Sequence, residues 1–348
     1  MSKMSPYLSA KIRIVSFFAI ILVVYAHTFY WESEVYSWLS VLQWMVGVGV
    51  AKGVAIPMFF AISGYLFFYG TEQNGKNAIY RKIYKRVHTL LVPYVLWNIW
   101  FALIYLLLHN IPNVSNFINS DIIGTMIQQD VFKNLKMMFW DPCAFHLWFI
   151  RNLFIAVLCT PFLYKYLKFA PYACVISVMM VCYYFFDTEH VSFALMWFIL
   201  GGFLALHNDK FESIEIPKWV LSLGCMIFIS YIVMIGLRVE MPRYFVFGAG
   251  LISVLVVWKV IDIALLPKVI QCKILTTACS YTFFIYLFHE PTLNIIKKLP
   301  LSILGISPIV LFICYIFAPW IMVIVAIGVA RLLQSIAPKF YSIIVGGR

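Results

Sequence analysis

Charge is what this sequence has least of. Only 11% of its 348 residues are charged while 64% are hydrophobic, which leaves too little polar surface to coat a soluble globule of this length. A soluble fold is excluded. Paired cysteines are missing too: Cys143, Cys159, Cys174, Cys182, Cys225, Cys272, Cys279 and Cys314 stand mostly singly in apolar stretches with no CxxC. That argues against a disulfide or metal framework and for small core hydrophobes, and no metal is expected. No small-x-small cleavage site follows the first apolar run, so it reads as a retained helix even though Lys3, Lys11 and Arg13 precede it. Low-complexity linkers, internal repeats and a separate soluble domain are equally lacking, and residues 1–348 read as a single membrane domain. The net charge of +12 invites a nucleic acid. Yet the basic residues form no single stripe, and cytoplasmic loops of a membrane protein need Lys and Arg in any case, so none is expected.

What is present is a series of apolar runs of the length a helix needs to cross a bilayer core of about 30 Å. Ten are expected, at residues 14–30, 55–69, 90–108, 147–164, 172–186, 191–206, 219–237, 244–261, 275–288 and 308–330. The fold class is therefore all-α, a polytopic transmembrane bundle. An N-terminus inside puts roughly 18 of the 26 Lys and Arg on the cytoplasmic side, which favours N-in and C-in. Residues 38–52, aromatic at one end and Gly-rich at the other, fit an outer interfacial or re-entrant segment better than a span. The long outer loop 110–145, with Asp121, Asp130, Lys133, Lys136 and Asp141, is a candidate lid.

Chemistry is expected where polar groups enter this apolar frame. A titratable imidazole in hydrocarbon is disfavoured unless it meets water or a partner, so His27, near the far end of the first run, marks a candidate site. Arg13 precedes it by about 21 Å along a helix and about 40° around it. One face thus carries a cation near the cytosol and an imidazole near the exterior, unless Arg13 is simply an interfacial anchor. Before the third span, the run Arg81-Lys-Ile-Tyr-Lys-Arg86-Val-His88 is dense enough to hold phosphates. It also satisfies the positive-inside rule, and both roles stay open for Lys82, Lys85 and Arg86.

At the outer end of the fourth span His146 and Arg151 flank one face about 140° apart, with Trp148 adjacent to Arg151. An Arg inside a span needs an anionic or polar partner. Trp148 serves either as an interface-belt aromatic or as a sugar platform. Near the outer end of the ninth span, His289 and Glu290 precede Pro291, which is expected to break or kink the helix. Neighbouring helical residues point different ways, so this pair reads as cavity lining more readily than as a couple in contact.

Together these segments resemble the acyltransferase-3 family, multi-pass bacterial enzymes that acylate extracytoplasmic sugars. The likeness rests on His27, Pro57-Met-Phe-Phe-Ala-Ile-Ser63-Gly64-Tyr-Leu, Lys85-Arg86 with Pro93-Tyr94, His146-Leu-Trp148-Phe, Trp197-Phe-Ile-Leu-Gly201-Gly202 and Tyr286-Leu-Phe-His289, in order over nearly the entire chain. Two positions depart from it. Ser16 stands where the family commonly carries an Arg, with Arg13 the nearest cation, and Thr89 stands where relatives are often basic.

The resemblance implies an O-acetyltransferase of the bacterial inner membrane, moving acetyl from cytosolic acetyl-CoA to a sugar hydroxyl on a surface polysaccharide or lipid-linked glycan. In that frame Arg13, Lys82, Lys85 and Arg86 hold the phosphates of the donor. His27 acts as general base, a task suited to an unperturbed imidazole pKa of about 6.5. Glu32 or Glu290 orients it, Arg151 binds an acidic sugar or steadies the oxyanion, and His146, Trp148 and His289 complete the acceptor side. Membrane lipids surround the bundle. Two other classes remain: a proton-coupled transporter or flippase using the same groups, and a catalytically inactive assembly subunit, to which Ser16 lends weight.

Overall fold

A computed structural model of the chain describes residues 4–71, 75–109, 133, 139–207, 216–264 and 271–347. The lid expected over 110–145, with Asp121, Asp130 and Lys136, lies for the most part outside the described residues. Among the described residues there is no strand, and the chain runs as α1 (Pro6–His27), α2 (Ser37–Gln43), α3 (Ile56–Phe68), α4 (Gly75–Arg86), α5 (Val92–His109), α6 (Trp148–Leu158), α7 (Thr160–Phe169), α8 (Pro171–Tyr184), α9 (Val191–His207), α10 (Lys218–Gly236), α11 (Arg243–Ala264), α12 (Lys273–Ala278), α13 (Thr282–Leu304), α14 (Pro308–Ile336) and α15 (Pro338–Ile344).

Each of the ten apolar runs is helical over most of its length. Among the described residues, six helices are long and apolar enough to cross a membrane: Pro6–His27, Ser37–Phe68, Asn77–Leu107, Lys218–Gly236, Arg243–Ile263 and Pro308–Ile336. The pair Phe145–Leu158 and Thr160–Phe169 makes a seventh if it forms one span. α8 and α9, at 14 and 17 residues, fall short of that length. This is a multi-pass membrane protein.

Helix boundaries follow from local chemistry. Ser5 caps α1 by accepting the Leu8 N–H at 3.0 Å, with Pro6 in the first turn, where a missing N–H costs nothing. Ser307 caps α14 in the same way through the Val310 N–H at 3.3 Å. Residues 38–52 depart from expectation. Between α2 and α3 the residues Trp44–Ala55 wind as a π-helix, with the Ile56 N–H donating to the carbonyl of Ala51, five residues back. The supposed interfacial piece therefore continues into the second span as one 32-residue helix, Ser37–Phe68. The wider winding absorbs the Gly-rich stretch without a break and returns to α beside Pro57, which has no N–H to place.

The chain divides into two compact units. The first comprises Met1–Tyr80 and Leu158–Thr282. Its tightest packing joins α3 to α9, and glycine is the cause. A Cβ on Gly64 would lie 1.9 Å from the Phe198 carbonyl oxygen, and one on Gly201 would lie 1.9 Å from that of Ala61. The backbones thus meet where both helices lack side chains, the small-residue packing favoured where lipid supplies no hydrophobic drive between helices. Buried Phe67, Phe68 and Phe198 close their rings around this crossing. The glycines of the π-helical stretch press on α1 and α10: Gly47 faces Ala26, Gly49 faces Ile232 and Gly53 faces Tyr231. Tyr231, Ile232 and Ala249 form a buried cluster there with Met45, Val50 and Phe245 around it.

The second unit comprises Arg81–Val157 and Phe283–Arg348. Trp97 of α5 donates its Nε1–H to the Ile344 carbonyl at 3.1 Å, and Phe284 of α13 packs against the rings of both Trp97 and Tyr341. Gly346, at φ +68°, approaches the Thr89 backbone so closely that a Cβ would sit 2.7 Å from Thr89 Cα. Only glycine fits both demands. α13 is interrupted at Glu290, whose φ of −102° and ψ of 142° are non-helical, ahead of a cis peptide bond to Pro291.

Candidate active site

In the first unit, α1 stops on His27 because Thr28 turns back on it. The Thr28 N–H donates to the Tyr25 carbonyl at 3.0 Å and its hydroxyl to that of Val24 at 2.7 Å. The chain leaving this turn is then pinned to α2 by the Tyr30 N–H, which donates to buried Gln43 Oε1 at 2.8 Å. His27 is half-buried in the last turn, and Arg13, at the other end of the same helix, is exposed. Ser16 is half-buried.

Glu32 is exposed on the 3₁₀ turn Trp31–Val35. The carboxylate that enters the fold is Glu34. It pairs with Arg238 and accepts hydrogen bonds from Ser40 Oγ and Trp44 Nε1, both at 3.3 Å. Arg238 also donates to Ser40 Oγ at 2.7 Å and lies over the Trp44 ring at 4.7 Å. The hydrogen bond from Arg238 holds the Glu34 carboxyl below its ordinary value, against a smaller opposing effect of burial. A second ion pair joins α1 to α11: buried Lys11 meets Asp262 at 2.6 Å, with the Tyr7 hydroxyl donating to the same oxygen and the ammonium 3.8 Å from the centre of the Trp258 ring.

The second unit assembles the other histidines. His146, in the 3₁₀ turn Phe145–Leu147, is 2% exposed, and His289 of α13 is fully buried. Their ring centroids are 4.7 Å apart, with Phe101 and Tyr286 packed against His146 at 5.4 and 5.6 Å. The Tyr286 hydroxyl donates to the His146 carbonyl at 2.7 Å, and His289 Nδ1 lies 2.7 Å from the Tyr286 carbonyl. A carbonyl only accepts, so Nδ1 carries a proton and Nε2 is the basic nitrogen of the neutral ring. Glu290, 2% exposed, accepts from Asn294 Nδ2 at 2.7 Å. His289 and Glu290 thus diverge as their adjacency implies, each held by a different partner.

Arg151 finds partners nearby in its own unit. It donates to the Trp140 carbonyl and to Asn152 Oδ1, and lies 3.8 Å from Asp141. Trp148 opens α6 half-buried. On the last turns of α4, Lys82 and Arg86 are half-buried and Lys85 is exposed. Among the described residues no group of His, Cys, Asp and Glu is placed to hold a metal ion.

The predicted site residues therefore fall into two sets, His27, Arg13 and Glu32 in the first unit and the remainder in the second. The structure brings His146 and His289 together, and gives Arg151 a carboxylate. The pairs Glu34–Arg238 and Lys11–Asp262 leave no local mark in the sequence, because both join residues far apart in the chain. The available signal was Asp262, a lone acid in an apolar span, which by cost alone demands a partner.

This helical membrane protein, with histidines set in apolar helices and its motif glycines at a helix crossing, has a family. A family model described as an acyltransferase domain matches residues 11–330, and the chain belongs to this acyltransferase-3 family. Neither a curated protein nor a solved structure matches it. The motifs in the sequence all lie within the matched residues, and the chain is a membrane acyltransferase.

Proposed function

We propose that this acyltransferase is an O-acetyltransferase of the bacterial inner membrane, with ten spans and both termini inside, that moves acetyl from cytosolic acetyl-CoA to a sugar hydroxyl of a surface polysaccharide or lipid-linked glycan. The observation that carries the proposal is the family match over residues 11–330, which includes a half-buried histidine closing the first helix.

In this mechanism the exposed and half-buried cations Arg13, Lys82, Lys85 and Arg86 hold the phosphates of the donor. Neutral His27 accepts the proton of the acceptor hydroxyl as its oxygen attacks the thioester carbon. Collapse of the tetrahedral oxyanion breaks the carbon–sulfur bond, and the imidazolium returns the proton to the leaving thiolate. His146, Trp148, His289 and Glu290 line the acceptor side. Arg151, already engaged by Asp141, contributes through that pair.

The test supplies purified protein with labelled acetyl-CoA and compares the O-acetyl content of surface glycans with and without the gene. Acetyl transfer by the wild type, lost in His27→Ala at normal expression, is the expected result. Wild-type transfer in that variant removes His27 from the mechanism. Proton-linked movement of an intact solute without acetyl transfer makes the protein a carrier instead.

A further inference from the structure

We infer that a cleft in the first unit, between the middle of α4 and the start of α7, receives the nucleotide end of the acyl donor. The cleft has a volume of about 260 Å³ and is lined by Ile79, Tyr80, Pro161, Phe162, Tyr164 and Lys165. Pockets for whole small ligands run to roughly 300–1,000 Å³, so this one takes a portion of a larger molecule.

Its lining combines two chemistries. Tyr164 is buried and its ring lies near-parallel to that of Phe68, at 6.3 Å and 12°, so it is a fixed wall. Tyr80 and Phe162 are exposed and supply further flat apolar surface, and exposed Lys165 supplies a charge. Among the described residues no carboxylate pairs with Lys165. An acyl chain would leave this cation unused and a bare phosphate would leave the rings unused. A nucleoside phosphate uses both: a base stacks on aromatic side chains while a cation meets its phosphate.

The inference rests on the proposed donor, whose nucleotide is an adenosine phosphate, and on the basic-residue asymmetry, which puts residues 76–86 and 165–168 on the cytoplasmic side where that donor arrives. Lys82, Lys85 and Arg86, assigned above to the donor's phosphates, follow Tyr80 in the sequence.

The test uses the full chain in nanodiscs and two donors, acetyl-CoA and acetyl-pantetheine, which lacks the nucleotide. The wild type should prefer acetyl-CoA in KM. The double variant Tyr80→Ala/Lys165→Gln should shrink the ratio of the two KM values about tenfold, the effect of losing one stacking platform and its charge. An unchanged ratio overturns the inference while leaving acetyl transfer intact, and turnover of acetyl-pantetheine certifies that the variant is folded. If the wild type transfers acetyl from neither donor, the proposed function fails separately, and the cleft is decided by direct binding of adenosine 3′,5′-bisphosphate. Binding lost in the variant upholds it; no binding to the wild type overturns it. An effect that disappears when phosphatidylglycerol is omitted from the nanodisc identifies a lipid headgroup as the occupant and also overturns it.

Discussion

Replacing Gly64 by alanine places a methyl group where the Phe198 carbonyl oxygen already lies, 1.9 Å from the new carbon, against 3.4–4 Å for an ordinary contact. The obstacle is main chain, so no rotamer change relieves it; α3 and α9 must move apart by roughly 1.5 Å. Overpacking a well-filled interior costs about 1–3 kcal/mol, sometimes more. Separation also weakens the Cα–H···O contacts that such close helices make, worth about 0.5–1 kcal/mol each. Against this, alanine gains up to about 1 kcal/mol over glycine within a helix. The net expected loss is about 2 kcal/mol or more, near thirtyfold in the folded-to-unfolded ratio. Gly248→Ala is the control, because a Cβ at Gly248 of α11 meets nothing within 4 Å and should show only the gain. Reversible unfolding in mixed micelles reads both. Gly64→Ala/Gly201→Ala should cost less than the sum of its parts, since one separation relieves both clashes. A Gly64→Ala protein as stable as Gly248→Ala would refute the reasoning.

Three further outcomes are expected. Glu34 has its carboxyl held low in the folded protein, so its contribution is complete above the unfolded carboxylate pKa of about 4.3 and is lost as pH falls through the folded value. Thermal unfolding followed downward from pH 6 should therefore fall more steeply for the wild type than for Glu34→Gln, by a modest amount given the exposure of the pair; parallel curves would reject the assignment. Lys11→Met alone should destabilise by less than the roughly 3–5 kcal/mol of a fully buried broken pair, because Asp262 is 21% exposed, and Lys11→Met/Asp262→Leu should recover most of the loss in the same micellar assay. Tyr286→Phe removes the donor to the His146 carbonyl, an expected cost of about 1–3 kcal/mol, and should raise KM for the acceptor more than for acetyl-CoA in steady-state kinetics.

Much of the architecture was legible because hydrophobic runs of spanning length have few alternatives to helix. The motif glycines Gly64 and Gly201 were legible as letters, and the crossing of α3 and α9 supplies their physical reason. Partners across helices were not. Helices that are apolar all round carry no periodicity to say which face meets which neighbour, so Glu34 and Arg238, 204 residues apart, gave no local sign of each other. Nor does the sequence tell Glu32 from Glu34 in one short turn, since the two acids differ only in that Arg238, Ser40 and Trp44 fold against Glu34. The π winding of Trp44–Ala55 was hidden because glycine reads as a breaker, whereas here it permits a wider coil to lie close to its neighbours. The break at Glu290 is legible from Pro291, whose ring and missing N–H disrupt any continuing helix.

Gly47 brings the widened coil to 3.4 Å, as a Cβ would measure it, from Ala26 Cα, the residue before His27. The residue preceding the proposed base is thus packed main chain against main chain. A displacement of the helix Ser37–Phe68 at Gly47 therefore bears on the main chain next to His27. Under the proposed mechanism the main chain that carries the base is thereby positioned by the packing of two helices.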